Sequence, residues 1–291
     1  MPTRLPGSWP STARVIAAAV LAGAFLPAAR SADAPATPTP VEARELMQAL
    51  LVASPYKLPD AARAGHIRYR VRVEGAPWRF PETGEQHARA DADAGTTVLD
   101  ICADCGRETP PDAADLARYR APGPGIESDD RAVRVFAKHL DRGGSLQRRM
   151  LALRDGVHAR MDGTIDFSRY DSAAGALARR SGDCTEAALL LAAVARARGI
   201  PARVVYGVAY SSRFTGQSHV FSPHMWVQVW DGARWRSFDA ALERFDAGHI
   251  ALVVGDGAFD TFAPATSIIA GLRIEAAAGI TPSASADSVR P

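Results

Sequence analysis

A polar segment that leads into a wholly apolar helix constrains this chain more than any other stretch. Residues 181–186 read Ser-Gly-Asp-Cys-Thr-Glu, where Asp183 has the position of a helix N-cap and Glu186 completes a capping box. Residues 187–195 contain only Ala, Leu and Val. The pattern therefore predicts a helix that is apolar on every face and buried among other elements, ending near Gly199.

Cys184 takes the first position of this predicted helix. Free backbone N–H groups and the positive end of the helix dipole meet there, and both favour a negative charge. We therefore predict a thiol pKa below the free value of about 8.5. A free cysteine is more commonly a small buried hydrophobe, and this stretch by itself leaves both interpretations open.

A predicted β-hairpin supplies two further polar residues. Its strand, turn and return strand are residues 224–230, 231–232 and 233–239. With a two-residue loop, Trp230 lies opposite Ala233 and His224 opposite Asp239. Side chains in opposite positions have Cβ atoms about 4.5–5.5 Å apart, close enough for an imidazole to bond a carboxylate. The hairpin thus predicts a His–Asp pair that leaves one imidazole nitrogen to take a proton from Cys184.

Four segments occur in an order and at a spacing that are typical of one family. They read Gly182-Asp183-Cys184, Ala197-Arg198-Gly199-Ile200-Pro201-Ala202-Arg203, His224-Met225-Trp226 and Trp235-Arg236-Ser237-Phe238-Asp239. In these segments the chain resembles the bacterial transglutaminase-like family, over roughly residues 126 to 255. The resemblance implies an α+β, papain-like core, in which a nucleophile helix packs on an antiparallel sheet.

The resemblance also implies roles for single residues. Cys184 matches the family's nucleophile, His224 its base and Asp239 its orienting acid. Met225 stands where many relatives have alanine, and Ala240 stands where many have proline. Neither position is a catalytic side chain, but both could alter the shape of the cleft.

Two further residues bear on the predicted site. Trp226 shares a strand face with His224, so it is a candidate substrate-binding residue, although core packing is the commoner role of a tryptophan. His219, in a predicted polar loop over residues 211–222, is the rival base. It lacks a paired aspartate, and we therefore favour His224.

The N-terminus has the pattern of an export signal. Arg4 and Arg14 precede the apolar run 15–26, which is too short to span a bilayer and is followed by small residues. We predict a signal peptide over residues 1–31 and a Pro-rich linker over 32–40, hence a periplasmic or secreted protein with no membrane span after cleavage. An uncleaved membrane anchor is the alternative.

The remaining chain divides into two predicted parts and a tail. Residues 41–122 form an N-terminal β-rich accessory region, residues 123–275 the catalytic domain, and residues 276–291 a disordered tail. The strand 66–73 in the accessory region places its arginines on one face, which either contacts an acidic partner or is simply solvated. Strands are also predicted over 246–254 and 267–275.

Cys102 and Cys105 form a Cys-x-x-Cys pair. In an exported chain a disulfide is the simplest expectation, and it would leave Cys184 as the one free thiol of three cysteines. A redox pair and a bond that involves Cys184 are the alternatives. Zinc would need further ligands. We therefore predict no metal site and no cofactor, and no calcium dependence.

Composition limits the class of partner. The net charge is only +2, which argues against nucleic acid as the main partner. The family resemblance, together with the predicted Cys–His–Asp set, implies a thiol enzyme that acts on amide bonds of peptides or proteins, with hydrolysis favoured over transfer to an amine. The alternative from another class is a non-catalytic module of the same fold that binds a partner in the cell envelope.

Overall fold

The computed structural model describes residues 39–75, 77–93, 95–162 and 171–280. The helices are α1 (Pro40–Ala49), α2 (Asp60–Arg63), α3 (Ala113–Arg118), α4 (Arg131–Leu140), α5 (Leu146–Arg160), α6 (Ala173–Arg179), α7 (Cys184–Ala197) and α8 (Phe259–Gly271). The strands are β1 (Val52–Ala53), β2 (His66–Val73), β3 (Gln86–Ala90), β4 (Thr96–Ile101), β5 (Ala202–Phe214), β6 (Gln217–Trp230), β7 (Trp235–Phe238), β8 (His249–Gly255) and β9 (Leu272–Ile280).

Two antiparallel sheets organise these elements. The first has the order β1-β6-β5-β8, with β7 also paired to β6, and the second has the order β3-β4-β2-β9. Helices α4 to α7 pack with one face of the first sheet into one core, and α8 and the second sheet contribute to another. The predicted α+β class, with the Cys184 helix packed on an antiparallel sheet, is confirmed.

Helix α7 is the centre of the first core. Leu189, Leu190 and Leu191 are fully buried, which shows that the helix is surrounded on successive faces. Asp183 and Glu186 form the predicted capping box at its start. Helices α4, α5 and α6, which contribute to the same core, are capped by Asp130, Ser145 and Ser172.

Two predictions about the second half of the chain are wrong. The segment 211–222 is not a loop, because β5 and β6 continue as a ribbon that turns at Thr215 and Gly216, both with positive φ. Residues 259–271 form helix α8 rather than a strand from 267. β-branched residues lower the helix propensity of this stretch, but burial of Ala265 and Ile269 in the second core favours the helix.

Strands from each side of the predicted boundary near residue 122 pair with strands from the other side. Strand β1 pairs with β6, and β9 pairs with β2, so the last strand completes the sheet of the N-terminal region. The predicted disordered tail therefore begins too early, since residues 276–280 belong to β9. The division into accessory and catalytic parts stays a prediction about chain organisation.

The arginine face of β2 is occupied by ion pairs within the chain. Arg68 contacts Asp100 at 2.7 Å and Arg72 contacts Glu275 at 2.6 Å. These pairs account for the exposed arginines without an acidic partner.

The predicted signal peptide and most of the linker lie outside the described residues. No helix in the described part of the chain is both long enough and apolar enough to cross a membrane.

Candidate active site

The first turn of α7 and strand β6 form one pocket. It has a volume of about 210 Å³, and both Cys184 and His224 line it. Cys184 is partly exposed at the helix start, and the backbone N–H of Met225 donates to its sulfur. The sheet therefore brings the residue beside His224 against the thiol, as the family resemblance implies.

His224 is bonded to Asp239, but not by the predicted register. The Nε2 atom of His224 lies 2.7 Å from Oδ2 of Asp239, and the two side chains are buried. In the hairpin, Trp230 pairs with Trp235 and Val227 with Phe238, so the connection has four residues and β7 ends one residue before Asp239. The shift is by two positions, which preserves the strand face. Asp239 then reaches His224 from beyond the strand.

Asp239 accepts four hydrogen bonds. Its Oδ1 accepts from the backbone N–H groups of Ala241 at 2.8 Å and Leu242 at 3.0 Å. Its Oδ2 accepts from His224 and also from Nε2 of His249 at 3.0 Å. Burial opposes ionisation of this carboxyl, but the two imidazoles hold its pKa well below the usual range. The carboxylate is therefore fully satisfied and anionic.

His249 is the residue that sequence analysis missed. It begins β8, is 3% exposed, and lies between Asp239 and Asp246. Burial opposes its charge, but the bonds to the two aspartates raise its pKa to about 9. No sequence signal indicates this contact, because it depends on β8 packing beside β5, far from the hairpin along the chain.

The pKa of Cys184 differs from the prediction. Burial raises it well above the ordinary value, and the neighbouring carboxylates of Asp183, Asp239 and Glu186 act in the same direction. The hydrogen bond from Met225 opposes this shift without reversing it. The prediction of a lowered pKa is therefore wrong for the free protein. In its resting state Cys184 is a thiol.

The other candidate residues lie elsewhere. Trp226 is 1% exposed and stacks behind His224, with ring centroids 6.2 Å apart, so it supports the imidazole rather than facing the pocket. His219 does not line the pocket that contains Cys184, and its Nδ1 is bonded to the Tyr210 hydroxyl at 2.8 Å, so it is not placed to act as the base. His158 also lines the pocket, and its Nδ1 contacts the carbonyl oxygen of Ala240.

Cys102 and Cys105 are free thiols in this structure, as is Cys184. The Cys102 and Cys105 side chains are hydrogen-bonded to each other, and burial together with this bond raises the pKa of Cys105. They are neighbours, so oxidation would join these two. The predicted disulfide is absent here and stays a prediction for the exported protein.

One cluster has donor atoms close enough to hold a metal ion. These atoms, from His224, Asp239 and His249, lie within 4.8 Å of one another. Each is already engaged at ordinary hydrogen-bond length, and an ion would displace the protons on both Nε2 atoms. The arrangement fits a hydrogen-bonded network better than a metal centre.

Part of this core matches a known protein family. Residues 132–240, which include all three predicted catalytic residues, match the transglutaminase-like superfamily. No curated protein matches the chain.

Several solved structures are similar to the chain. A candidate cysteine protease from Cytophaga hutchinsonii is 18% identical over 74% of this chain and 86% of that chain, with a TM-score of 0.45. The periplasmic domain of TgpA from Pseudomonas aeruginosa is 23% identical over 62% and 74%, with a TM-score of 0.43. Red sea bream transglutaminase is 12% identical over 68% and 48%, with a TM-score of 0.32.

Proposed function

We propose that this chain, whose residues 132–240 match the transglutaminase-like superfamily, is an exported thiol enzyme that acts on amide bonds of peptides or proteins. One observation supports this most strongly: Cys184 and His224 line the same pocket, and His224 is held through Nε2 by a buried aspartate. Because Nε2 is engaged, Nδ1 is the nitrogen available to accept the thiol proton.

The chemical steps follow from these positions. The sulfur of Cys184 attacks the amide carbon as its proton passes to Nδ1 of His224. The amine then leaves with that proton, and a thioester remains on Cys184. The backbone N–H of Cys184, in the first turn of α7, is a donor for the oxyanion. Water, activated by His224, releases the acid and restores the thiol.

We favour water over an amine as acceptor. Transfer to an amine requires that the thioester is protected from water until the amine arrives. Protease or amidase activity is therefore proposed ahead of crosslinking.

Apolar pocket residues, including Met161, Phe214 and Leu242, fit an apolar side chain next to the scissile bond.

The test combines thiol labelling with a substrate assay. We expect His224→Gln to lower both iodoacetamide labelling of Cys184 and peptide hydrolysis by about 10³-fold or more. His219→Gln, on the same strand but outside the pocket, is the matched control and should leave both rates unchanged. Labelling in the presence of a primary amine, followed by mass measurement of the product, distinguishes acid from amide formation.

The alternative is a binding module that retains this fold, and the raised pKa of Cys184 is the observation that favours it. A binding module predicts labelling no faster than that of an ordinary thiol, at the same rate in wild type and His224→Gln. A redox role of Cys102 and Cys105 instead predicts activity that survives Cys184→Ala.

Export belongs to the same proposal. The signal pattern at residues 1–31 predicts a mature chain that begins near residue 32 in the periplasm or medium. The mass of the protein recovered from each cell fraction tests this. A full-length chain held in the membrane fraction would instead support an uncleaved anchor.

A further inference from the structure

Asp239 binds two histidines, and only one of them belongs to the proposed catalytic set. We propose, building on the thiol chemistry above, that His249 is a positioning residue: it holds the carboxylate that orients His224. His249 does not line the pocket with Cys184, so it acts through Asp239 rather than on substrate.

The sheet by itself does not hold Asp239. Strand β7 ends at Phe238, and the chain then leaves the ladder. The carboxylate is instead fixed on both oxygens, by the amides that follow it at Oδ1 and by the two imidazoles at Oδ2. Since the Oδ1 bonds come from the same loop, His249 is the contact that ties Asp239 to a strand other than β6, which carries His224.

The shared oxygen determines where the protons lie. A carboxylate oxygen only accepts, so the Nε2 atoms of both His224 and His249 must carry protons. At neutral His224 this leaves the lone pair on Nδ1, which is the form that can accept a proton from Cys184. The Oδ2 atom of Asp239, which both histidines bond, thus selects the tautomer of His224 that can accept a proton from Cys184.

His249 is itself fixed from its other side. Its Nδ1 lies 3.0 Å from the carbonyl oxygen of Asp246 and 3.4 Å from the Oδ1 atom of that residue, both acceptors. The amide N–H of Asp246 is also near Nδ1, at 3.3 Å. The shorter contact is to an acceptor, so Nδ1 is protonated and the charged ring faces two carboxylates.

Aromatic rings cover part of this cluster. Phe245 and Trp226 lie against the His249 ring, with centroid distances of 4.9 and 5.2 Å. His224, Asp239 and His249 are at most 5% exposed. Because so little of these three side chains is exposed, loss of one donor leaves Asp239 with an unmet hydrogen bond and freedom to turn away from His224.

Two substitutions at His249 distinguish the loss of its hydrogen bond from the loss of its side-chain volume. His249→Phe retains ring volume but removes the donor, whereas His249→Gln retains an N–H that can reach Asp239. We expect His249→Phe to lower kcat and the labelling rate of Cys184 by about 10- to 100-fold with KM unchanged. His249→Gln should recover most of the loss. His87→Phe removes a histidine–carboxylate bond outside the site and should have no effect on either rate.

Equal rates per folded molecule in wild type and His249→Phe, with only a lower Tm, would overturn the positioning role. So would equal losses in His249→Phe and His249→Gln. Failure of the proposed function has a different signature, since wild type would then label slowly and His224→Gln would change nothing. In that case ¹⁵N chemical shifts of His224 decide. A proton that stays on Nε2 in His249→Phe contradicts the proposal.

Discussion

At the residue scale, burial outweighs the helix terminus at Cys184. A charge at a helix end is stabilised by about 0.3–1 kcal/mol, less than the 1.36 kcal/mol that corresponds to one pKa unit. Burial shifts a pKa by up to about 3–5 units. The carboxylate of Asp183, one residue away, adds repulsion. The thiol therefore stays protonated until His224 removes its proton.

This protonation state predicts a solvent isotope effect. If the thiol proton moves to His224 as the sulfur attacks, labelling of Cys184 should be slower in D₂O than in H₂O. A preformed thiolate would show no such slowing. The measurement is the iodoacetamide rate at matched pH and pD in wild type. A free cysteine peptide above its thiol pKa is the control, and an inverse effect in the protein would contradict general-base transfer.

Asp239 carries a second prediction at this scale. In Asp239→Asn the amide group would have to present an N–H to one of the imidazoles, and the tautomer of His224 would change. We expect kcat to fall by about 10²- to 10⁴-fold with smaller effects on KM. Asp231→Asn, in the turn of the same hairpin, is the control, because asparagine retains a side-chain oxygen that can accept from the backbone N–H of Ala233. Wild-type kcat in Asp239→Asn would rule out the orienting role.

At the scale of elements, the site depends on how closely three strands approach. Strand β5 lies between β6 and β8, and Gly207 pairs with His224 on one side and Ala251 on the other. A Cβ at Gly207 would lie 2.0 Å from the backbone oxygen of Ile250. Since backbone cannot move aside cheaply, the missing side chain allows β8 to bring His249 to Asp239.

We expect Gly207→Ala to separate β5 from β8. The free energy of unfolding should fall by about 1–3 kcal/mol, the cost typical of overpacking, and labelling of Cys184 should slow. Gly279→Ala is the matched control, because a Cβ there meets nothing within 4 Å. Urea unfolding and labelling of both variants test the prediction. Unchanged stability in Gly207→Ala would show that β8 is free to shift.

At the scale of the whole molecule, a buried carboxylate connects the two sheets. Glu85, just before β3, accepts from the backbone N–H of Ser237 at 2.9 Å and from Gln228 at 3.4 Å. It is 5% exposed. Burial raises its pKa to about 7, although the bonds from Ser237 and Gln228 oppose that shift. The N-terminal region is thus tied to the hairpin that holds Asp239.

This contact predicts how stability depends on pH. The folded protein binds the Glu85 proton more tightly than the unfolded chain does, so this contribution to stability is complete below about pH 4.5 and is lost as the pH rises through about 7. We expect Glu85→Gln to flatten the unfolding free energy across this window. Exposed Glu45→Gln is the control. A wild-type slope retained in Glu85→Gln would contradict the assignment.

Local sequence determined the parts of this protein that depend on near neighbours in the chain. The capping box and apolar run predicted α7 with Cys184 at its start, because caps and periodicity act within a few residues. Alternation predicted the hairpin face shared by His224 and Asp239. Its register was wrong by two positions, because the Asp231 side chain accepts from the backbone N–H groups of Ala233 and Arg234 and so stabilises a four-residue turn.

Only the tertiary structure determined the properties that depend on burial and on contacts between strands far apart in the chain. The sequence indicated neither the raised pKa of Cys184 nor the second histidine on Asp239. Residues 267–271 of the strand predicted over 267–275 belong to helix α8 and only 272–275 to β9, since packing of Ile269 outweighed β-propensity. Desolvation, and contacts between segments far apart in the chain, have no local pattern. The sequence therefore predicted the residues of the site, and the fold determined their protonation states and the contacts that hold them in position.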